Sequence, residues 1–360
     1  MMRVFHPRLF ASLLLSATLG LLSGCTLLAT ATTQPLIDRH LPANYSGVAA
    51  VRKDAASPLV VSARGQALRE ESQANTRDTR FMIGSSTKWI TAVTVLRLAE
   101  LGKLELDAPI ARHLPELPAP NGAVTLRQLL SHRSGIPNGL SEAMRKDSKV
   151  EGLEIGPVQA ALRFGAGAPS FAPGERFEYS GTNYLLAAAV VERAMKKPFT
   201  EVVEEQVFAP AGVRDTSFAA TGYEDSVGMA VGYGADGKRK SPPAAPMLAA
   251  NGTVYSTARD LVDLMDAVYR NKLLSESSLR ALSTVHDAAE HYALGGRVRP
   301  LATDKGARSL AWEAGAFGGY KSLVAYDPAD GRAVVLLNNA DMAQDDMAAV
   351  ATALFQSLDR

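Results

Sequence analysis

Ser85-Ser86-Thr87-Lys88 is the one place in the chain where a serine stands three residues before a lysine, and an apolar run from Trp89 to Leu98 follows at once. Residues three apart share a helix face, so a helix starting near Ser85 stacks the Ser85 hydroxyl and the Lys88 ammonium at its N-terminus. A serine alcohol is a weak nucleophile until a neighbouring group takes its proton. The orphan N–H groups and partial positive charge of a helix N-terminus suit a developing oxyanion. Type, spacing and flank together fit a Ser-Lys acyl-transfer site. An N-capping serine on an ordinary buried helix would carry the same four letters, so the rest of the chain must decide.

The elements that would position this pair can be read in outline. Val48–Val51 and Leu59–Ala63 alternate around a polar break and predict a β-hairpin. Thr79–Ile83 predicts a short strand leading into the helix near Ser85, which Gly102 ends as a C′ glycine. Between about 105 and 245 strand signals are few, and the pattern predicts helices at Leu126–Leu130, Val158–Phe164, Tyr184–Met195 and Phe199–Val207. Asn183 is placed as the N-cap of the third of these. After about 245 an amphipathic helix opens at Ser256–Asp260. Strands over 318–326 and 332–338 flank the turn 327–331, and a final helix runs from about Ala343 to Leu358. Strands at both ends and helices between them predict an α/β (α+β) domain built from residues 43–104 and 246–360, with a helical insertion at about 105–245. The site is expected in the cleft between the two parts.

Composition excludes several classes. The chain has 360 residues and a formal net charge of +1, without the dense basic face of a nucleic-acid binder. Its six histidines are scattered and it has one cysteine, so no metal cluster is predicted, and no phosphate-binding glycine pattern calls for a cofactor. That cysteine is Cys25. Arg3 and Arg8 precede an apolar run, Leu9–Leu22, which ends in Leu22-Ser23-Gly24-Cys25. A basic start, a short apolar stretch and small residues before a cut form a secretory signal, here residues 1–24. Leu-Ser-Gly-Cys also resembles the lipobox of bacterial lipoproteins, which implies cleavage before Cys25 and a lipid on it. Thr26 in the next position, rather than an acidic residue, favours the outer membrane over the inner. Residues 25–42, rich in Ala and Thr, then form a tether.

Several segments, in order, resemble the serine β-lactamase and penicillin-binding-protein superfamily, in particular its class C-like branch, which also holds esterases and D-amino-acid peptidases. They are Thr79–Lys88, Thr125–Pro137 with its Leu-Leu-Ser-His-Arg-Ser-Gly-Ile-Pro ending, Phe171–Ser180 and Gly252–Asp260. The resemblance covers about residues 45–357. It implies a β-lactamase/transpeptidase-like fold, an antiparallel sheet flanked by helices with an inserted helical domain. Ser85 is then the nucleophile. The family's second motif, Tyr-x-Asn, falls on Tyr179-Ser180-Gly181, which keeps the tyrosine and replaces the amide by Gly181; the one literal match, Tyr269-Arg270-Asn271, sits at the end of an amphipathic helix. Tyr179 is the candidate for the second proton-transfer group, and the missing amide removes a donor that would orient Lys88 or a substrate carbonyl. The third motif, usually a basic residue two before a glycine on an edge strand, falls on Glu313-Ala314-Gly315. Gly315 allows close backbone approach, the Ala316 N–H would join that of Ser85 as the oxyanion hole, and Glu313 replaces the cation that helps bind a β-lactam carboxylate. Lys321 is a basic neighbour if Glu313 points to solvent.

The sequence therefore predicts a lipid-anchored serine hydrolase that cleaves an ester or amide, or a peptide, through a Ser85 acyl-enzyme. Lys88 and Tyr179 move protons, Gly181, Glu313 and Gly315 line the substrate site, and no cofactor or metal is needed. Esters are favoured as substrates. A β-lactamase or D,D-peptidase is the alternative in the same class; a catalytically inactive envelope binding module is the alternative in another.

Overall fold

The computed structural model describes residues 33–220, 222–271 and 273–359. The leader and Cys25 lie outside the described residues.

Two hairpin strands, β1 (Gly47–Arg52) and β2 (Val60–Arg64), come from the N-terminal part. The central helix α1 follows at Thr87–Glu100. Then come α2 (Leu126–Leu130), α3 (Gly139–Lys146), α4 (Pro157–Phe164), α5 (Gly181–Met195) and α6 (Ala258–Tyr269). The C-terminal part supplies β3 (Arg297–Thr303), β4 (Gly306–Phe317), β5 (Tyr320–Tyr326), β6 (Ala333–Asn338) and the closing helix α7 (Gln344–Ser357). The strands form one six-stranded sheet in the order β3-β4-β5-β6-β1-β2, antiparallel throughout. The two termini thus share a sheet. The stretch between holds helices and two-residue strand pairs such as Gly232–Tyr233 with Arg239–Lys240.

Both faces of the sheet are covered, and the alternation of side chains shows it. In β6, Val335 and Leu337 belong to the larger core with α1 and α5, while Val334 and Leu336 face α7 with Leu354, Phe355 and Ile37. A strand buried on both faces reads as a continuous apolar run, as Ala333–Leu337 does. Arg52 on β1 grips Asp266 on α6 through two bonds of 2.6 Å, which pins that helix to the sheet. Gly102 at φ +66° donates to Ala99, the left-handed stop its position predicted.

Several elements differ from the sequence reading. Residues 33–40, read as part of a tether, form a helix whose Ile37 is fully buried in the core beneath α7, and Asp38 pairs with Arg64 of β2 at 2.8 Å. Asn183 does not cap α5, which begins at Gly181 after Ser180; the Asn183 amide is held instead by Ser134 (2.7 Å) and His132 (3.3 Å). The helix at Phe199–Val203 continues as a π-helical turn over Glu204–Phe208. The strand carrying Gly315 is not at the edge of the sheet, because β3 pairs with it on the outside. Pro300 and the alternating arginines 297 and 299 suit β3 to an edge, where a missing N–H costs no ladder bond and charge deters further pairing.

Candidate active site

Ser85 lies in a 3-10 turn, Gly84–Ser86, and α1 takes over at Thr87. The turn keeps the three-residue spacing effective. Lys88 Nζ donates to Ser85 Oγ at 3.1 Å, and the Tyr179 hydroxyl, from the residue pair before α5, donates to the same oxygen at 3.0 Å. Lys88 Nζ also donates to the Asn251 main-chain oxygen at 2.8 Å. Lys88 is 4% exposed, and no carboxylate forms an ion pair with it among the described residues. A buried amine held by oxygens without a formal counter-charge is suited to proton transfer rather than to ion pairing.

Tyr179 is 42% exposed, the most open of the three groups. Burial of its inner edge pushes the phenol up, but the Lys88 charge and the hydrogen bonds to Ser85 and Lys88 outweigh it and hold Tyr179 below its ordinary range. Behind it lies His132, fully buried, with ring centroids 4.3 Å apart. Tyr184 and Tyr292 complete this backing at 5.2 and 5.0 Å from His132. Burial, then the charges of Lys88 and Arg297, hold His132 well below the usual imidazole range, so it is neutral. Its Nδ1 accepts from the Ser180 N–H at 3.2 Å, fixing the peptide next to Tyr179.

Strand β4 runs against the turn that carries Ser85. A Cβ on Gly315 would stand 1.9 Å from the Ile83 oxygen and 2.9 Å from the Ser85 nitrogen. A Cβ on Gly84, at φ +52°, would meet the Ala316 carbonyl oxygen at 2.5 Å. Only two glycines allow this approach. Ser322 Oγ locks it, donating to the Ile83 oxygen at 2.7 Å beside Ser86 Oγ at 2.9 Å. The backbones of Ser85 and Ala316 thereby meet at the floor of the cleft.

The cleft itself has a volume of about 350 Å³. Leu140, Met144, Leu248 and Phe317 give it apolar walls; Gly181, Asn251 and Glu151 contribute polar or open ground. Burial pushes the Glu151 carboxyl up.

Glu313 is not in the cleft. It is 4% exposed on the face of β4 that Gly315 also presents, one residue pair deeper, with its carboxyl packed over Gly296. Burial pushes it up to about 8, against the pull of Arg297. Lys321 does not replace a cation there either, since it pairs with Asp341 at 2.8 Å. The sequence expectation that Glu313 contacts substrate is corrected: strand alternation sets its face, and the depth along the strand takes it under the protein surface.

Sequence reasoning brought Ser85, Lys88, Tyr179, Gly181, Gly315 and Ala316 to one place. It missed His132, Asn251 and Glu151. His132 lay inside a matched segment without a role, and its left-handed φ of +57° was not readable from residue type. Glu151 and Met144 sit on α3 and the turn after it, a region left as loop. There, Asn138 caps through Ser141, and Lys146 bonds Glu142 at 2.6 Å; both were available as signals.

The fold thus sets a serine beside two groups able to move a proton. The chain belongs to the beta-lactamase family, whose model (Beta-lactamase) matches residues 37–358. It is 30% identical over 243 residues to the putative penicillin-binding protein PbpX of Bacillus subtilis (strain 168), covering 66% of this chain and 58% of that protein. It is 38% identical over 170 residues to esterase EstB of Burkholderia gladioli, covering 44% of this chain and 43% of the esterase. The chain therefore matches less than two thirds of the length of these curated relatives. Among solved structures, a penicillin-binding protein from Bacillus halodurans superposes with a TM-score of 0.76 at 29% identity, covering 90% of this chain and 99% of that one. A D-stereospecific amidohydrolase from Streptomyces sp. superposes at 0.73 and 25% identity, covering 91% and 99%.

Proposed function

We propose that the chain is a lipid-anchored serine hydrolase that prefers esters. The observation that carries the reading is the convergence of Lys88 Nζ and the Tyr179 hydroxyl on Ser85 Oγ at 3.1 and 3.0 Å. Ser85 attacks the substrate carbonyl as its proton passes to the Lys88–Tyr179 pair. The Ser85 and Ala316 N–H groups hold the oxyanion. The alkoxide departs with the proton, and water then releases the acyl group by the reverse transfer. Which of the pair takes the proton is a property of the two together.

The preference follows from the cleft. Lys88 is the one basic side chain lining it among the described residues, and Glu151 is the one acidic side chain. A carboxylate on the substrate would face a carboxyl and find no spare cation, which disfavours penicillins, cephalosporins and peptides ending in D-alanine. An ester needs less positioning, because its alkoxide leaves more readily than an amine. The esterase EstB, by its name, points the same way. The penicillin-binding and amidohydrolase names of other relatives keep a β-lactamase or D,D-peptidase as the second reading.

The test is a side-by-side panel of p-nitrophenyl esters, D-amino-acid amides and a chromogenic cephalosporin, with Ser85→Ala as control. Turnover of short esters, with the cephalosporin slower by orders of magnitude and Ser85→Ala inert and unlabelled by a fluorescent phosphonate, is the expected outcome. Efficient cephalosporin hydrolysis sinks the preference; a wild-type protein that takes no label sinks the hydrolase.

The anchor rests on Leu22-Ser23-Gly24-Cys25. Lipid on Cys25 would hold the enzyme at the outer membrane, facing the periplasm. Cys25→Ser should move the protein from the membrane pellet to the soluble fraction. A wild-type protein already soluble, with a free thiol at Cys25, refutes the anchor.

A further inference from the structure

We infer that the cavity between the helix 33–40, the end of β6 and the start of α7 is a second binding site, and that its ligand is a neutral sugar ring. The cavity has a volume of about 590 Å³, within the range of small-molecule sites, and shares no lining residue with the Ser85 cleft among the described residues. Asn338 stands in its wall and is 1% exposed. The Asn338 Oδ1 accepts from the Ala340 and Met342 N–H groups at 2.9 and 3.2 Å, which fixes the amide plane, while Nδ2 has no hydrogen-bond partner. Buried amide atoms of a native protein are almost always paired, and one left unpaired costs about as much as a lost hydrogen bond. A donor that persists unpaired in the wall of a cavity is most simply explained by an acceptor that arrives with a ligand. Helix α7, 14 residues long, opens at Ala343 in the same wall without a side-chain cap, so its first N–H groups add donors there.

Donors alone would suit an anion, but the rest of the lining opposes one. No lysine or arginine lines the cavity, and Asp346 brings a carboxylate to it. The other carboxylate, Asp341, is already held by Lys321 at 2.8 Å and by the Ala235 N–H. A metal does not fit either, since no group of three His, Cys, Asp or Glu side chains able to hold one occurs among the described residues. The neutral His40 ring donates through Nδ1 to the Leu36 oxygen at 2.9 Å, so its Nε2 is an acceptor. The Ser357 hydroxyl, 3.4 Å from that Nε2, gives its proton to the Ala353 oxygen at 2.7 Å, which leaves Nε2 open to a donor from a ligand. The cavity therefore combines a buried amide donor with acceptors at Asp346 and His40, and holds no fixed positive charge of its own. A hydroxyl both donates and accepts, so neighbouring hydroxyls on one ring can meet both sets at once. Pro42, Met342 and Val350 supply apolar ground for the C–H face of such a ring. An apolar ligand would leave Nδ2 as unpaired as before.

The experiment titrates the whole chain with glucose, with N-acetylglucosamine and with the β-linked trimer of N-acetylglucosamine, read by saturation-transfer NMR. At least one should bind with a dissociation constant on the order of millimolar. Binding should be unchanged between about 0.05 and about 0.5 M salt, because the ligand carries no charge. Ala349→Tyr, at an exposed position of α7 in the cavity wall, fills the space without altering Asn338. It should weaken binding by about tenfold or more while the thermal unfolding midpoint stays in place. Asn338→Asp keeps the oxygen that Ala340 and Met342 use and replaces the free donor by an acceptor, so a folded variant should bind about tenfold more weakly. A trimer that binds more tightly than the single ring identifies a glycan chain as the source of the sugar; equal affinity identifies a free sugar, and either result keeps the site. No saturable binding by any of the three overturns it. So does binding that salt abolishes, or binding that either folded variant leaves within about twofold of the wild type.

Discussion

At the scale of single residues, three polar groups meet with one formal charge between them, and their surroundings decide what they can do. Lys88 sits among oxygens, Tyr179 is drawn below the ordinary range of a phenol by that lysine, and the imidazole behind Tyr179 is kept neutral by burial. A charged His132 would push Tyr179 lower still but repel Lys88; a neutral ring lends packing and orientation alone. The rise of activity with pH should therefore fall below the range of a free tyrosine. Tyr179→Phe should remove that limb and lower acylation by roughly 10²–10⁴-fold, the usual contribution of a proton-transfer group. Presteady-state acylation rates across pH 6 to about 10, a window set by ordinary phenol titration, provide the check. A Phe variant within a fewfold of wild type would leave Lys88 as the sole base.

At the scale of elements, what was legible in the sequence is what local chemistry fixes. The helix of Lys88 was readable because its start, apolar run and terminal Gly102 agree. The hairpin Gly47–Arg64 was readable from alternation around a polar break. Strand β3 was not: Pro300 and two arginines look like loop, and only its edge position makes them compatible with a sheet. The face of Glu313 was likewise invisible. Alternation puts residues 313 and 315 on one side, but whether that side is open or roofed at each depth is set by Gly296, whose loop is distant in sequence. Asn183 looked like a cap because asparagine often is one, and tertiary partners at Ser134 and His132 outbid that local use. The approach of β4 to the Ser85 turn was half legible: Gly315 marked it, but Gly84 and the Ser322 bond that lock it came only with the fold.

At the scale of the whole molecule, a sheet packed on both faces leaves little tolerance for an ionised group in its interior, and Glu313 is an ionisable group placed there. Burial pushes its carboxyl up to about 8, while Arg297 only partly offsets this. An unfolded chain would release that proton near 4.5. Between these values the folded protein holds a proton that the unfolded chain does not, so stability declines as pH rises. Glu313's contribution is complete below about pH 4.5 and is lost as pH passes about 8. The slope approaches about 1.4 kcal/mol per pH unit while the carboxyl alone differs between the two states. Glu313→Gln keeps the shape and removes the titration, so urea unfolding at steps across that window should show a flatter profile for the variant, crossing the wild type to become the more stable protein on the alkaline side. Glu313→Lys is expected to be poorly folded, since it would place an ammonium in the same closed space rather than in the cleft. Parallel profiles for wild type and Glu313→Gln would mean that the carboxyl is solvated and that the roof over β4 opens.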